Sequence, residues 1–133
     1  MSNYAYVATR ARSRRSRLLP AEAYNQLLNL EHAEIARYIQ DLEYRREIDR
    51  YGSTLSGADL IETALVDNLA KDIGDFLSFS KGKLRDILHV YAEKYRVDNL
   101  KNIIRGINQN MDRQNLERLV CPINDSDKDL YLS

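Results

Sequence analysis

Apolar residues recur at three- and four-residue spacing along nearly the whole chain, and no stretch alternates apolar with polar residues. A helix brings positions three and four apart onto one face, so this pattern specifies packed amphipathic helices and not a sheet. Only 5 glycines and 2 prolines interrupt the 133 residues. Both prolines stand where a helix is expected to start or stop. The expected fold class is all-α: a multi-helix module of packed amphipathic helices, with the length of one domain.

The spacing predicts a first helix over 3–18, with Tyr4, Val7, Ala8, Ala11 and Leu18 as a narrow apolar stripe. Pro20 is expected in the first turn of a second helix, where its missing N–H costs nothing. That helix presents Tyr24, Leu27 and Leu28. A third segment, 32–42, carries Ile35, Ala36 and Ile39. The charged stretch 43–51 either continues it or forms a separate short helix. Residues 52–57 (Gly-Ser-Thr-Leu-Ser-Gly) are the clearest break. Ser56 is a natural N-cap for the longest helix, 57–77. Ile61, Ala64, Leu65, Leu69, Ile73, Phe76 and Leu77 share one of its faces.

Ser80 is expected to cap the next helix, with Leu84, Ile87, Leu88, Tyr91 and Tyr95 as its stripe. Asp98 then reads as the cap of another, with Leu100, Ile103, Ile104 and Ile107 inward. Asp112 caps a last short helix before Pro122. Residues 1–122 are thus the expected helical module, and 123–133 an acidic, solvated tail. Val66-Asp67-Asn68-Leu69 recurs as Val97-Asp98-Asn99-Leu100, but the flanks differ and no internal repeat is drawn from it.

The chain carries 20 Lys+Arg against 20 Asp+Glu, so its net charge favours neither nucleic acid nor membrane. Cys121 is the single cysteine, which excludes an intrachain disulfide and fits a reducing compartment. No apolar run reaches the roughly 18–20 residues that span a bilayer. The basic N-terminus lacks the apolar core of a signal peptide. These features predict a cytoplasmic chain that meets membrane only through partners.

Residues expected to carry chemistry are not arranged for it. Gly52 and Gly57 are isolated and form no phosphate loop. His32, His89 and Cys121 lack metal-ligand spacing. Asp125, Asp127 and Asp129 imitate the start of a calcium loop, but Leu130 stands where glycine belongs and no distal Glu follows. No catalytic residue, cofactor or metal is expected. The basic run over 10–17 aligns Arg10, Arg14 and Arg17 on one helical face. That face suits three uses: solvated pairing with acids of the same chain, an acidic protein partner, or the phosphates of RNA or lipid headgroups.

Three stretches, in order, resemble a known family. They are Tyr4-Ala5-Tyr6-Val7-Ala8-x-Arg10-Ala11-Arg12 with Ser16-Arg17-Leu18-Leu19; Ile61-Glu62-x-Ala64-Leu65-x-x-Asn68-Leu69-Ala70; and Val97-Asp98-Asn99-Leu100-Lys101-x-Ile103-Ile104-Arg105 after the helix over 84–95. Leu119-Val120-Cys121-Pro122 follows in register. The chain resembles, over 3–122, the C subunit of archaeal-type rotary ATPases, whose vacuolar-type counterpart is the d subunit.

The resemblance implies a funnel-shaped, all-helical rotor part of three similar modules, of which this chain has room for one. It implies a non-catalytic connector between the central stalk and the membrane proteolipid ring of a proton- or sodium-translocating ATPase or ATP synthase. Such a connector is cytoplasmic and peripheral to the membrane. No nucleotide or other cofactor and no nucleic acid is expected. From the basic faces alone, and not from the resemblance, Arg10, Arg14, Arg17, Lys101 and Arg105 are the candidate partner contacts, with a salt bridge inside the module as the alternative for each; the arginines suit such contacts because a guanidinium makes two directed hydrogen bonds to a carboxylate. A single module is expected to self-associate through apolar surface. The alternatives are a small helical module binding nucleic acid through its basic first helix, or an inert gene fragment.

Overall fold

The computed structural model describes residues 2–123, 127 and 129. Its elements are all helical: α1 (Tyr4–Arg15), α2 (Ala21–Leu27), α3 (His32–Gln40), α4 (Arg45–Tyr51), α5 (Gly57–Phe79), α6 (Lys83–Asn108) and α7 (Arg113–Arg118). No strand is present among the described residues. The all-α fold class follows. Contacts gather into two compact units, one of Ala8–Asn68 and one of Met1–Val7 with Leu69–Ser133.

In the unit Ala8–Asn68, α3 and α4 form a helical corner. Gln40 Nε2 donates to Asp49 Oδ1 at 2.6 Å across it. At the start of α3 the Glu34 carboxylate accepts from Glu31 N at 2.9 Å, satisfying a donor that the helix leaves open. Ala36, Ile39 and Ile48 then pack on Leu60 and Ala64 of α5, with Tyr38, Tyr44, Tyr51, Leu55 and Ile61 around them. Ala64 has no exposed surface. Its small side chain lets the α5 backbone approach the corner closely. The charged 43–51 stretch is therefore a separate helix, and its one apolar interior residue, Ile48, is what docks it.

Several expected boundaries move. Pro20 sits one residue before α2 rather than within its first turn, in extended conformation (φ −68°, ψ 157°). Tyr24 and Leu28 of the second helix are exposed. On α1 only Val7 is buried; Tyr4, Ala8 and Ala11 face outward, and Leu18, beyond the helix end, is exposed too. Along α5 the buried positions are Leu60, Ala64 and Ala70, whereas Leu65 and Leu69 stay exposed.

In the other unit, an asparagine ties the chain start to the end of α5. Asn3 Nδ2 donates to Phe79 O at 2.7 Å, and Asn3 Oδ1 accepts from Lys81 N at 2.9 Å. The Tyr6 and Phe79 rings meet edge to face beside it, 5.9 Å apart. Ser80 does not cap α6; its hydroxyl donates back to Phe76 O. Gly82 opens α6 instead, with φ 58° and ψ −146°, a backbone region that a Cβ disfavours.

The largest correction concerns α6. The two helices expected on either side of Asp98 are one helix of 26 residues. Asp98 lies within it and pairs with Lys101 at 3.8 Å, one turn on. Leu100, Ile104 and Ile107, expected inward, are 50%, 59% and 59% exposed. The residues that face inward are Ala92, Asn99 and Gly106, at intervals of seven. Gly106 admits Leu116 of α7: a Cβ there would lie 2.2 Å from Leu116 Cδ2.

Beyond α7, whose Asp112 cap accepts from Asn115 N at 2.8 Å as expected, residues 119–123 run as a strap. Its own Val120 and Ile123 are buried. Gly74 of α5 makes room, since a Cβ on it would come within 2.8 Å of Ile123 O.

Candidate functional site

The candidate contact groups divide between the units: Arg10, Arg14 and Arg17 belong to Ala8–Asn68, and Lys101 and Arg105 to the other. Arg10 and Arg14 stand one turn apart on α1, and both have further interactions within the chain. The helix ends at Arg15, so Arg17 does not continue their row. It lies in the following turn, where Nη1 donates to both oxygens of Glu43 at 3.0 and 3.1 Å. Arg17 is thus paired with an acid of its own unit. Both side chains are about half exposed, so the pair adds little stability. Arg12 and Arg15 are exposed on the same helix. The α1 surface is a run of cations at a helix C-terminus, where the helix dipole favours them.

On α6, Lys101 and Arg105 also stand one turn apart and are exposed. Lys101 shares its charge with Asp98. Such pairs exchange readily for a better partner, because water screens them.

Sequence reasoning missed the asparagine that holds the strap. Asn99 is 2% exposed. Its Nδ2 donates to Cys121 O at 2.9 Å and its Oδ1 accepts from Cys121 N at 2.8 Å. Asn102, one turn on, donates to Leu119 O at 3.1 Å. The side-chain amide replaces the strand or helix partner that an irregular segment otherwise lacks. The available signal was an amide at the seven-residue spacing of the inward positions Ala92 and Gly106.

Among the described titratable groups, two phenols are shifted from their ordinary value. Tyr95 is raised to about 12, first by its hydroxyl contact with Tyr91 and then by burial. Tyr51 is raised by burial, and next by the Asp67 carboxylate. A raised phenol favours the neutral form in the folded chain. The stability that this contributes is complete below the unfolded tyrosine value of about 10 and is lost as pH rises toward the folded value. The thermal midpoint is therefore expected to fall between pH 10 and 12, and Tyr95→Phe to flatten that fall. A midpoint scan over this range checks it.

Among the described residues, no cluster of His, Cys, Asp and Glu could hold a metal ion. The calcium-like pattern at 125–129 lies mostly outside the described residues. Asp127, expected in a solvated tail, is 4% exposed, and Arg96 Nε lies 3.5 Å from its Oδ1. No described helix is long and apolar enough to cross a membrane.

Residues 7–132 match the family described as ATP synthase (C/AC39) subunit. The chain belongs to this family. It is 42% identical over 116 residues to the C subunit of the A-type ATP synthase of Haloferax volcanii, covering 87% of this chain and 33% of that one. The C subunit of the Methanosarcina mazei enzyme is 41% identical over 105 residues, 79% of this chain and 29% of its own length. That of Archaeoglobus fulgidus is 36% identical over 128 residues, 96% and 37% respectively. The chain thus spans about a third of the length of the curated relatives it matches. No solved structure matches it significantly. In this member of the C/AC39 family the Val97–Arg105 stretch lies inside one continuous helix.

Proposed function

We propose that this chain is a non-catalytic part of the central rotor of an A/V-type ATPase or ATP synthase, coupling the central stalk to the proteolipid ring. The family match over residues 7–132, to relatives named as the C subunit of A-type ATP synthases, carries the proposal. The chain works at the cytoplasmic face, peripheral to the membrane, and meets lipid only through the complex.

Torque transmission needs stiffness. Long helices have it, and α5 and α6, of 23 and 26 residues, are each about 35–40 Å of hydrogen-bonded rod. The Asn3 and Asn99 amides fix the loose segments to these rods. Arg10 and Arg14 on α1, and Lys101 and Arg105 on α6, are the proposed contacts with acidic surfaces of neighbouring subunits. Arg17 serves the unit's own Glu43.

Binding to an isolated stalk–ring subassembly tests this assignment. Arg10→Glu/Arg14→Glu is expected to weaken binding at least tenfold, since reversal turns two attractive contacts repulsive. The loss should shrink at high salt. Unchanged affinity in the double reversal would remove α1 from the interface.

A further inference from the structure

The stretch 1–21 contains no acid, and Arg10, Arg12, Arg14, Arg15 and Arg17 crowd into its second half. Like charges at helical spacing repel one another. The segment is also loosely held. No residue between Val7 and Ala23 is buried, so it opens locally at little cost in free energy. An enzyme that must draw a side chain of this segment into its cleft has no packed core to break.

Three aliphatic hydroxyls, of Thr9, Ser13 and Ser16, accompany the arginines. Thr9 has a further interaction within the chain. Ser16 Oγ donates to Ser13 O at 2.8 Å. The Ser13 hydroxyl alone is both exposed and without a partner among the described residues. Arg10 stands three positions before it and Arg17 four after it, the two spacings that bring side chains together on a helix. Although α1 ends at Arg15, Arg17 N still donates to Arg14 O at 3.1 Å, which holds Arg17 about one turn beyond Ser13.

We infer that Ser13 is a phosphorylation site whose phosphate is clamped between Arg10 and Arg17. A separate kinase, with an acidic cleft for the arginines, passes the γ-phosphoryl group of a nucleoside triphosphate to Ser13 Oγ. The bond from the γ-phosphorus to its bridging oxygen breaks and a bond to Oγ forms. The hydroxyl proton leaves to a base of the kinase, and a nucleoside diphosphate departs; nothing is oxidised or reduced. Phosphate suits this position because it brings about two negative charges and three acceptor oxygens into a field of guanidiniums. A neutral modification would gain nothing from them. Arg17 exchanges partner readily, since its bond to Glu43 joins two half-exposed groups. A phosphate dianion accepts stronger, charge-assisted bonds. The modification does not rest on the rotor reading, but its consequence does. The clamped phosphate cancels charge that Arg10 offers an acidic neighbour, and should weaken binding to the stalk–ring subassembly about tenfold.

The test is phosphosite mapping, by tandem mass spectrometry, of the chain purified with phosphatase inhibitors from growing and from energy-starved native cells. Phosphate on Ser13 is expected in at least one culture, and Ser13→Ala should remove it without transfer to Ser16. The full chain with phosphoserine encoded at position 13 gives a second readout. By phosphorus NMR its second ionisation should fall below that of phosphoserine in a short peptide, and Arg10→Gln/Arg17→Gln should return it. These positions are exposed, so the variants keep the fold. Unmodified Ser13 in both cultures would overturn the inference. So would phosphate on Ser16 but not on Ser13, or a phosphorus titration that the double substitution leaves unmoved. Subassembly binding lost on Arg10→Glu/Arg14→Glu but intact on phosphorylation would overturn the clamp. Binding untouched by either, with the other readouts as expected, would remove the rotor contact and leave the phosphorylation site standing.

Discussion

Asn99→Ala is expected to lower the stability of the chain by about 3 kcal/mol, a fall of roughly 10 °C in the thermal midpoint. Two hydrogen bonds end on this side chain, both to the backbone of Cys121. Truncation strands a part-buried N–H and a part-buried carbonyl, each costing about 1–3 kcal/mol when left without a partner. Water reaching the widened site offsets some of this, and Asn102 still holds Leu119. Asn99→Asp separates hydrogen bonding from packing. A carboxylate keeps the bond from Cys121 N but cannot donate to Cys121 O, and it buries a charge. It is therefore expected to be no better than Ala despite its matching shape. Chemical denaturation of the three proteins measures both effects, and an Asp variant as stable as the parent would show that packing alone holds the strap.

Ile39→Ala should cost about 3 kcal/mol in the other unit, within the usual range for deleting a buried isoleucine. Ile39 is 3% exposed at the centre of the cluster formed with Ala36, Ile48, Leu60 and Ala64. The corner of two short helices has little freedom to close the gap, because Gln40 and Asp49 fix its width. Ile39→Val should lose about 1 kcal/mol on the same scale. Equal losses for Val and Ala would mean that the corner collapses on any truncation. Denaturant midpoints at unchanged slope are the readout.

The helical class, the break at 52–57 and the Asp112 cap were legible because each depends on local chemistry. A break with two glycines needs no tertiary information, and an aspartate before a helix satisfies an open N–H wherever the helix lies. What escaped depends on which face of a helix finds a neighbour. Asp98 has the side chain of a cap, and the apolar stripe changes phase around it. Leu84, Leu88 and Tyr95 lie on one side of the helix, and Leu100, Ile104 and Ile107 on another. Read as burial, that jump demands two helices. In α6 it marks one helix with two surfaces, one covered by the chain and one left open.

The basic groups divide for a related reason. Periodicity aligned Arg17 with Arg10 and Arg14, but the helix stops at Arg15 and Glu43 captures the guanidinium from the turn. A partner 26 residues away in sequence leaves no trace in local spacing. Asn99 was hidden differently. A buried amide is legible only once the backbone group it serves is known, and the strap at 119–123 has no periodicity of its own.

Affinity purification of the tagged chain from its native membranes, followed by mass spectrometry, tests the central claim most directly. Recovery of central-stalk and proteolipid-ring subunits in fixed proportion to the chain is the predicted result. Recovery of the chain alone, or with chaperones only, while those subunits assemble without it, would contradict a rotor role.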